Sequence, residues 1–277
     1  MPKNNLFVFD IETVPDTDAV RNLTGFESNN IEELRKELEE YHIKVSGGNP
    51  FPRQPFHKVV AISFVEAEIK SEIDGTESYI LTDIRSGGTE NSSEEEILKG
   101  FFSYLSKKSP RFVSYNGRTF DLPVLKYRAM KYGISAPWLY RSGDKWNSYT
   151  SRYSADWHCD LLDVLSDYGC SAKCKMNEVC SILGLPGKIG VDGSQVSGMY
   201  DEGRIKEIRD YCETDVINTY LVYLVNQYHT GFLSEENFKN ANLDLINYLD
   251  ENKSEKKKHF KEFLDEWKLT DERGFFK

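Results

Sequence analysis

Near its amino end the chain carries the run Phe7-Val8-Phe9-Asp10-Ile11-Glu12-Thr13. These apolar, β-prone residues predict a strand, in which residues i and i+2 point to the same face. Asp10 and Glu12 are therefore expected side by side, with Phe9 and Ile11 turned the other way into a core. Two like charges this close stay ionised only with a cation between them. A hard divalent ion such as Mg²⁺ or Mn²⁺ would suit these oxygen ligands; the alternative is an ordinary solvated strand end.

Composition predicts a folded protein that is not embedded in a membrane. A chain of 277 residues with 39% hydrophobic residues can build one large domain, or one domain with an appendage. None of its apolar runs approaches the length of a membrane span, and no leader-like apolar block precedes the acidic pair. The five cysteines lack a second pair at zinc-ligand spacing, which favours reduced thiols over a zinc site. We therefore expect a cytoplasmic protein with no membrane partner.

Charge is distributed unevenly along the chain, although its net value of -10 argues against a protein that coats nucleic acid nonspecifically. Residues 66–96 contain ten acidic and two basic side chains, whereas residues 107–152 contain ten basic and two acidic ones. Aromatic residues are interleaved with the basic ones in the second segment, among them Tyr115, Phe120 and Trp146. This pattern favours a track for a single-stranded polynucleotide, because cations meet phosphates and rings stack on bases. The alternative is a basic surface over core aromatics.

The periodicity of apolar residues predicts an α/β fold. Strand patterns come first and are followed by alternating helices and strands, which favours an α/β fold over an all-α one. Residues 14–30 are expected to form a loop. The predicted strands are 7–13, 59–65, 78–83 and 112–115, and the predicted helices include 31–41, 94–105, 176–183 and 202–228.

Further carboxylates stand in the middle of the chain. Asn116-Gly117 is a turn signal, and Asp121 follows it near the start of a helical pattern. Taken alone, Asp121 suits a helix N-cap better than a metal ligand. A second acidic motif, His158-x-Asp160, could bind a metal, but without other ligands nearby a structural role is favoured.

The longest helical pattern carries a third candidate stretch. Tyr211 and Asp215 are four residues apart and so share one face of the 202–228 helix. A tyrosine hydroxyl beside a carboxylate could position a water molecule on a metal; the alternative is an exposed pair on an amphipathic helix. Before this helix, residues 184–193 are rich in glycine and contain Lys188, which indicates either close backbone approach to a ligand or a flexible loop.

Together the three stretches resemble a known enzyme set. Asp10-x-Glu12 on the first strand, Asn116-x3-Phe120-Asp121 in the middle and Tyr211-x3-Asp215 on a late helix occur in the order of the DEDD 3′–5′ exonucleases. The tyrosine places the resemblance in the DEDDy branch, since the histidine-bearing branch would need His at position 210. The sequence around these motifs is similar to that of stand-alone bacterial exonucleases related to the proofreading domain of B-family DNA polymerases.

The resemblance implies a fold, a reaction and a set of residues. The fold would be ribonuclease H-like, with a mixed central sheet flanked by helices. The reaction would be hydrolysis of single-stranded DNA from the 3′ end to nucleoside monophosphates, with two divalent cations, Mg²⁺ or Mn²⁺. The implied metal ligands are Asp10, Glu12, Asp121 and Asp215, and Tyr211 completes the catalytic set. The implied substrate-binding residues are Thr13, Asn116, Phe120 and Lys188.

The sequence leaves several alternatives open. Residues 1–232 are expected to form the exonuclease domain, and residues 233–277 a C-terminal helical extension packed on the domain or on a partner. A 3′–5′ exoribonuclease of the same branch would carry the same motifs, since RNA is recognised by contacts to its 2′-hydroxyl that these motifs do not reveal. A non-catalytic single-strand-binding module is the second alternative. The sequence leaves the protein partners open as well.

Overall fold

The computed structural model describes residues 3–190 and 192–276, and its centre is a five-stranded mixed sheet. The strands are β1 (Asn5–Pro15), β2 (His57–Ser71), β3 (Glu77–Ser86), β4 (Arg111–Ser114) and β5 (His158–Asp160). Their order is β3-β2-β1-β4-β5. β2 pairs antiparallel with β1 and β3, whereas β4 runs parallel to β1 and β5. This topology confirms the predicted α/β, ribonuclease H-like class.

Helices cover both faces of the sheet. They are α1 (Val20–Thr24), α2 (Ile31–Ser46), α3 (Glu94–Lys108), α4 (Asp121–Lys131), α5 (Pro137–Arg141), α6 (Leu161–Leu165), α7 (Met176–Leu183), α8 (Val196–Asp201), α9 (Ile205–His229), α10 (Glu235–Asn252) and α11 (Lys258–Thr270). Sequence signals fix several ends: Ser93 caps α3 with a reciprocal Ser93–Glu96 capping box, and Gly184 ends α7 in the left-handed conformation. The prediction of a loop over residues 14–30 is wrong in part, because β1 continues to Pro15 and the fully buried Val20 anchors α1.

The alternation of β1 distributes its side chains between two cores. Phe7, Phe9 and Ile11 lie in the core under α3 and α4. Leu6 and Val8 lie in the other core, together with buried residues of α9, α10 and α11. Side chains at even positions therefore face α9. This alternation directs the next two even-numbered residues, Asp10 and Glu12, towards the helix that carries the third acidic motif.

The C-terminal residues form two helices, as predicted, and both pack on the domain. Phe260, Phe263 and Trp267 of α11 are buried in the core that also contains residues of α9. Glu213 of α9 accepts hydrogen bonds from Ser86 and from His259 at the start of α11. The domain boundary between residues 232 and 233 stays a prediction. In the described part of the chain, every helix is too short or too polar to span a membrane.

Candidate active site

The site begins on β1. Asp10 is partly exposed and Glu12 is buried, and each pairs across the sheet with β2, opposite Ser63 and Ala61. The ladder is irregular between Glu12 and Thr13. Such a bulge re-aims the side chains that follow it and is common next to active sites. The prediction that Asp10 and Glu12 lie on one face is confirmed, and the alternative of a solvated strand end is wrong for the buried Glu12.

Asp121 joins this face from α4. The helix begins at Asp121 itself, its N-cap residue is Phe120, and no side-chain hydrogen bond caps it. The interpretation of Asp121 as an N-cap is therefore wrong. The side chain is buried, and its Oδ1 atom has no hydrogen-bond partner among the described residues. Because a buried polar atom without a partner is costly, this oxygen is free for a ligand.

α9 supplies Tyr211 and Asp215. Both side chains are buried, so the alternative of an exposed pair on an amphipathic helix is wrong. The Tyr211 hydroxyl lies beside the Asp215 carboxylate and opposes the rise of its pKa. Asp215 Oδ1 lacks a hydrogen-bond partner among the described residues, as does Asp121 Oδ1.

The charges of this group are poorly balanced. Burial, followed by the charges of Asp121, Glu12 and Asp215, raises the pKa of Asp10 well above its usual value. Burial and Asp215 do the same for Glu12. Burial raises the pKa of Asp121 to about 7 and that of Asp215 to about 6. Asp10, Glu12, Asp121 and Asp215, here called the carboxylate cluster, thus form a strongly negative site in a poorly solvated place.

Lys188 is the cation that opposes this charge. Its positive charge lowers the pKa values of Asp10, Glu12 and Asp215, and its Nζ atom lies 5.6 Å from the centre of the Tyr211 ring. Asn218 of α9 holds the adjoining loop, because it accepts from Gly187 N at 3.1 Å and donates to Gly187 O at 2.7 Å. Sequence reasoning missed Asn218, whose partner lies 31 residues away in the chain.

The donor set favours a hard metal ion. Ligand atoms of Asp10, Glu12 and Cys212 lie within 4.8 Å of one another. The thiol of Cys212 contacts the backbone and side-chain oxygens of Asp10 at 3.6 and 3.9 Å, and burial raises its pKa well above the usual value. Cys212 is therefore a protonated donor rather than a thiolate ligand. The remaining ligand atoms are carboxylate oxygens, which suit Mg²⁺ or Mn²⁺.

The turn before α4 is shaped by the His158-x-Asp160 motif. Asn116 adopts a left-handed conformation (φ 70°), and the Asp160 carboxylate accepts from the backbone N–H groups of Asn116 and Arg118, each at 2.8 Å. His158 bonds the Ser114 hydroxyl at 2.7 Å, and a side chain at Gly117 would strike that same serine. The structural interpretation of this motif is confirmed: it holds the turn that carries Asn116.

Thr13 and Phe120 both contact His57. The Thr13 hydroxyl lies 3.0 Å from His57 Nδ1, while His57 Nε2 lies 2.8 Å from the Pro52 carbonyl oxygen. A carbonyl can only accept, so Nε2 carries the proton. Burial lowers the pKa of His57, so the ring is neutral and Nδ1 accepts from Thr13. The Phe120 ring packs edge-on against His57 at 4.9 Å.

A cleft of about 560 Å³ opens onto the cluster. Asp10, Asn116, Lys188 and Asp215 line it, so the structure brings together predicted residues from four separate elements. Its remaining wall includes the segment 173–177, with the exposed Lys173 and Lys175. The sequence analysis missed these lysines. The signal that could have found them is the pair of basic residues, separated by Cys174, directly before α7.

The predicted basic and aromatic track is only partly exposed. Arg111 and Arg128 are buried in ion pairs, with Glu77 and with Asp16 and Glu94 respectively. Other members are structural as well: the Arg118 guanidinium donates to three backbone carbonyls, and Tyr149 is buried. A continuous track over residues 107–152 is therefore wrong. The exposed aromatic side chains of this segment include Tyr127, Tyr140 and Trp146.

The mixed sheet with acidic residues on its central strand defines a ribonuclease H-like nuclease fold. A family model described as a predicted 3′–5′ exonuclease related to the exonuclease domain of PolB matches residues 49–267. The chain belongs to this family, and the family's activity makes it a hydrolase. The matched region includes Asp121, Tyr211 and Asp215, whereas β1 with Asp10 and Glu12 precedes it.

One curated relative is a DNA polymerase from Pyrococcus glycovorans, which is 47% identical over 47 residues. The aligned segment is 17% of this chain and 6% of the polymerase. The similarity therefore concerns a small part of that much longer protein.

Proposed function

We propose that this exonuclease hydrolyses single-stranded DNA from the 3′ end and releases nucleoside monophosphates, with the help of two divalent cations. The carboxylate cluster carries the proposal: four acidic side chains from β1, α4 and α9 converge with raised pKa values, and Lys188 is the cation that opposes their charge. Such a group is stable in its ionised form only when positive charge is added.

Mg²⁺ or Mn²⁺ fits the residues that are present. Asp10, Glu12 and Asp215 would hold one ion, and Asp10 with Asp121 the other; the two carboxylate oxygens without partners, on Asp121 and Asp215, support this assignment. Ions of this kind supply Lewis-acid stabilisation of the negative charge that develops on a phosphodiester under attack by water.

Tyr211 is proposed to orient the attacking water. Burial raises the pKa of its phenol, so the group keeps its proton throughout the working pH range and does not act as a base. A phenol proton directed at Asp215 leaves the lone pairs of the oxygen free to accept a hydrogen bond from water. Tyr211 thereby fixes the position of the nucleophile, a contribution of orientation rather than of proton transfer.

The proposed strand path uses the cations and polar groups around the cleft. Lys173, Lys175 and Lys188 are placed to meet phosphate groups, although the protein as a whole is acidic. Asn116, at the left-handed turn, and Phe120 are proposed to contact the terminal nucleotide. Thr13, whose hydroxyl proton points to His57, offers the free lone pairs of that hydroxyl to the substrate.

The test is a gel assay with Mg²⁺ or Mn²⁺ on three substrates: 5′-labelled single-stranded DNA, matching RNA, and DNA blocked at its 3′ end. We expect a one-nucleotide ladder on open DNA, and none on blocked DNA, in EDTA or with Asp10→Asn. A stronger ladder on RNA would replace the DNA assignment with RNA turnover. Retained binding without a ladder on any substrate would refute hydrolysis and favour a single-strand-binding module.

A further inference from the structure

An exposed aromatic side chain lies beside the candidate site. Phe51, in the connection between α2 and β2, is 57% exposed. Its ring centre lies 4.9 Å from that of His57 and 6.0 Å from that of Phe120, and His57 and Phe120 contact each other edge-on. The three rings contact one another and form a triangle, here called the aromatic triangle, in which Phe51 is the solvent-exposed member.

The connection that carries Phe51 is tied down by hydrogen bonds. Gln54 donates to the carbonyl of Thr119 at 3.2 Å, next to Phe120, and Arg53 donates to the carbonyl of Val45 at 3.1 Å. His57 donates to the carbonyl of Pro52 at 2.8 Å, the residue after Phe51. These bonds link the connection to α2, to the turn before α4 and to β2, and the Phe51 ring is exposed to solvent apart from its contacts with His57 and Phe120.

The aromatic triangle is linked to the carboxylate cluster through two residues that neighbour cluster members in the chain. Phe120 directly precedes Asp121, and the Thr13 hydroxyl that bonds His57 belongs to the residue after Glu12. A single exposed phenylalanine needs no explanation. Phe51, by contrast, is an exposed ring on an anchored connection, and it presents a flat apolar surface in contact with Phe120 and His57.

We propose that Phe51 is a stacking platform for an unpaired base of the strand within two nucleotides of its 3′ end. The inference rests on the proposed function, because it assigns a binding residue to the same site. Aromatic rings stack on any base, since every base has a π-face, and a base inside a duplex is already stacked on its neighbours. Phe51 therefore favours frayed or single-stranded 3′ ends without selecting a sequence.

A measurement of binding affinity distinguishes a stacking role of Phe51 from a purely structural one. Fluorescence anisotropy in EDTA measures the Kd of a 5′-labelled single-stranded oligonucleotide with a free 3′ end, without hydrolysis. Phe51→Ala and Phe51→Leu are expected to raise the Kd about five- to hundredfold, the range for loss of one base–aromatic stack. Phe51→Tyr, which keeps the ring, should bind within about twofold of wild type.

A matched control is Phe232→Ala, which removes a ring of similar exposure, 51%, from the turn after α9. Its Kd should equal that of wild type. Thermal unfolding of each variant checks the fold. If Phe51→Ala is destabilised, the comparison of Phe51→Leu with Phe51→Tyr tests the proposal. Equal Kd values for Phe51→Leu, Phe51→Tyr and wild type would overturn the proposal.

Oligonucleotides with one abasic residue identify which base of the strand stacks on Phe51. A single abasic residue is placed at the terminal, penultimate or fifth position from the 3′ end, and Kd is measured for wild type and Phe51→Leu. At one of the first two positions the difference between the two proteins should disappear, because the stacked base is missing; at the fifth it should persist. A difference that persists with all three substrates would also overturn the proposal.

Failure of this inference is distinguishable from failure of the proposed function. If wild type produces the ladder on single-stranded DNA while Phe51→Leu binds as tightly as wild type, the stacking role alone is refuted. If wild type neither binds nor cleaves any nucleic acid, the proposed function fails, and the inference fails with it.

Discussion

Two groups of carboxylates inside this molecule differ in what balances their charge. In the first, Asp16 and Glu94 hold the guanidinium of Arg128, and all three side chains are 2% exposed. Lys131 adds a second cation at 3.0 Å from Asp16. These four residues, here called the arginine cluster, join the chain after β1 to α3 and α4. Although burial raises the pKa of Asp16, Arg128 and Lys131 outweigh it and hold that pKa below its usual value.

The carboxylate cluster has the opposite balance. Burial raises the pKa values of all four members, repulsion by other members adds to the rise at Asp10 and Glu12, and Lys188 does not overcome the rise at Asp10, Glu12 or Asp215. Where the protein supplies the counter-charge, the acids bind neighbouring segments together. Where it does not, a cation from solution would supply the counter-charge, as the proposed function requires. We propose that this difference distinguishes structural acids from the acids of the candidate site without reference to any motif.

The largest expected effect is on catalysis. Asp10→Asn keeps the shape of the side chain but removes its charge, and we expect turnover on single-stranded DNA to fall by at least about a thousandfold, or about 4 kcal/mol. Quantified release of mononucleotides measures the rate. Asp265→Asn, which changes an exposed carboxylate of α11, is the control and should leave the rate unchanged. Wild-type turnover by Asp10→Asn would remove Asp10 from the metal site.

The second effect is on stability. Arg128→Met removes the buried cation of the arginine cluster and leaves only the partly exposed Lys131 beside Asp16, so the free energy of unfolding should fall by about 3–5 kcal/mol. Urea denaturation measures this value. Arg141→Met, at an exposed arginine of α5, serves as the control. Unchanged stability of Arg128→Met would mean that the arginine cluster does not need its cation.

A third test adds the missing charge. Mg²⁺ at about one hundred times its Kd should stabilise wild type by about 2.7 kcal/mol relative to EDTA, because it binds the folded state alone. The thermal midpoint of unfolding reports this change. Arg141→Met should show the same gain, and Asp10→Asn should lose most of it. An equal gain in Asp10→Asn would show that Mg²⁺ binds elsewhere.

Local patterns in the sequence predicted much of the fold and site. The alternation along β1 placed Asp10 and Glu12 on one face, and α7 was predicted at its observed bounds of Met176–Leu183. The four-residue spacing placed Tyr211 and Asp215 together on α9. Each of these depends on periodicity within one element, which is written directly into neighbouring residues.

Features that depend on distant partners could not be predicted in this way. Arg128 looked like part of a nucleic-acid track, yet its carboxylate partners lie 34 and 112 residues away. Asp121 looked like a helix cap, and only the approach of β1 and α9 shows that its oxygen faces other acids. Residue type and local spacing carry no information on which distant segment will neutralise a charge.

The smallest expected effect concerns pH, where the two clusters have opposite signs. The folded pKa values of Asp215 and Asp121, about 6 and about 7, exceed the unfolded value of about 3.9. Between these values the folded state binds more protons, so stability is fully present at low pH and is lost as pH rises through the folded pKa values. Asp16, with its lowered pKa, instead contributes stability that is lost as pH falls below the unfolded value.

The experiment compares wild type with the double variant Asp121→Asn/Asp215→Asn in EDTA, by urea denaturation at pH 5 and pH 6. The buried His57 and His158, whose pKa values burial lowers, favour unfolding at low pH and contribute the opposite slope, but equally in both proteins. Relative to the variant, wild type should lose about 1–2 kcal/mol between the two pH values. Saturating Mg²⁺ should abolish this loss, because a bound cation favours the ionised carboxylates. Parallel pH curves in EDTA would mean that these acids are already balanced within the protein, and the contrast with the arginine cluster would disappear.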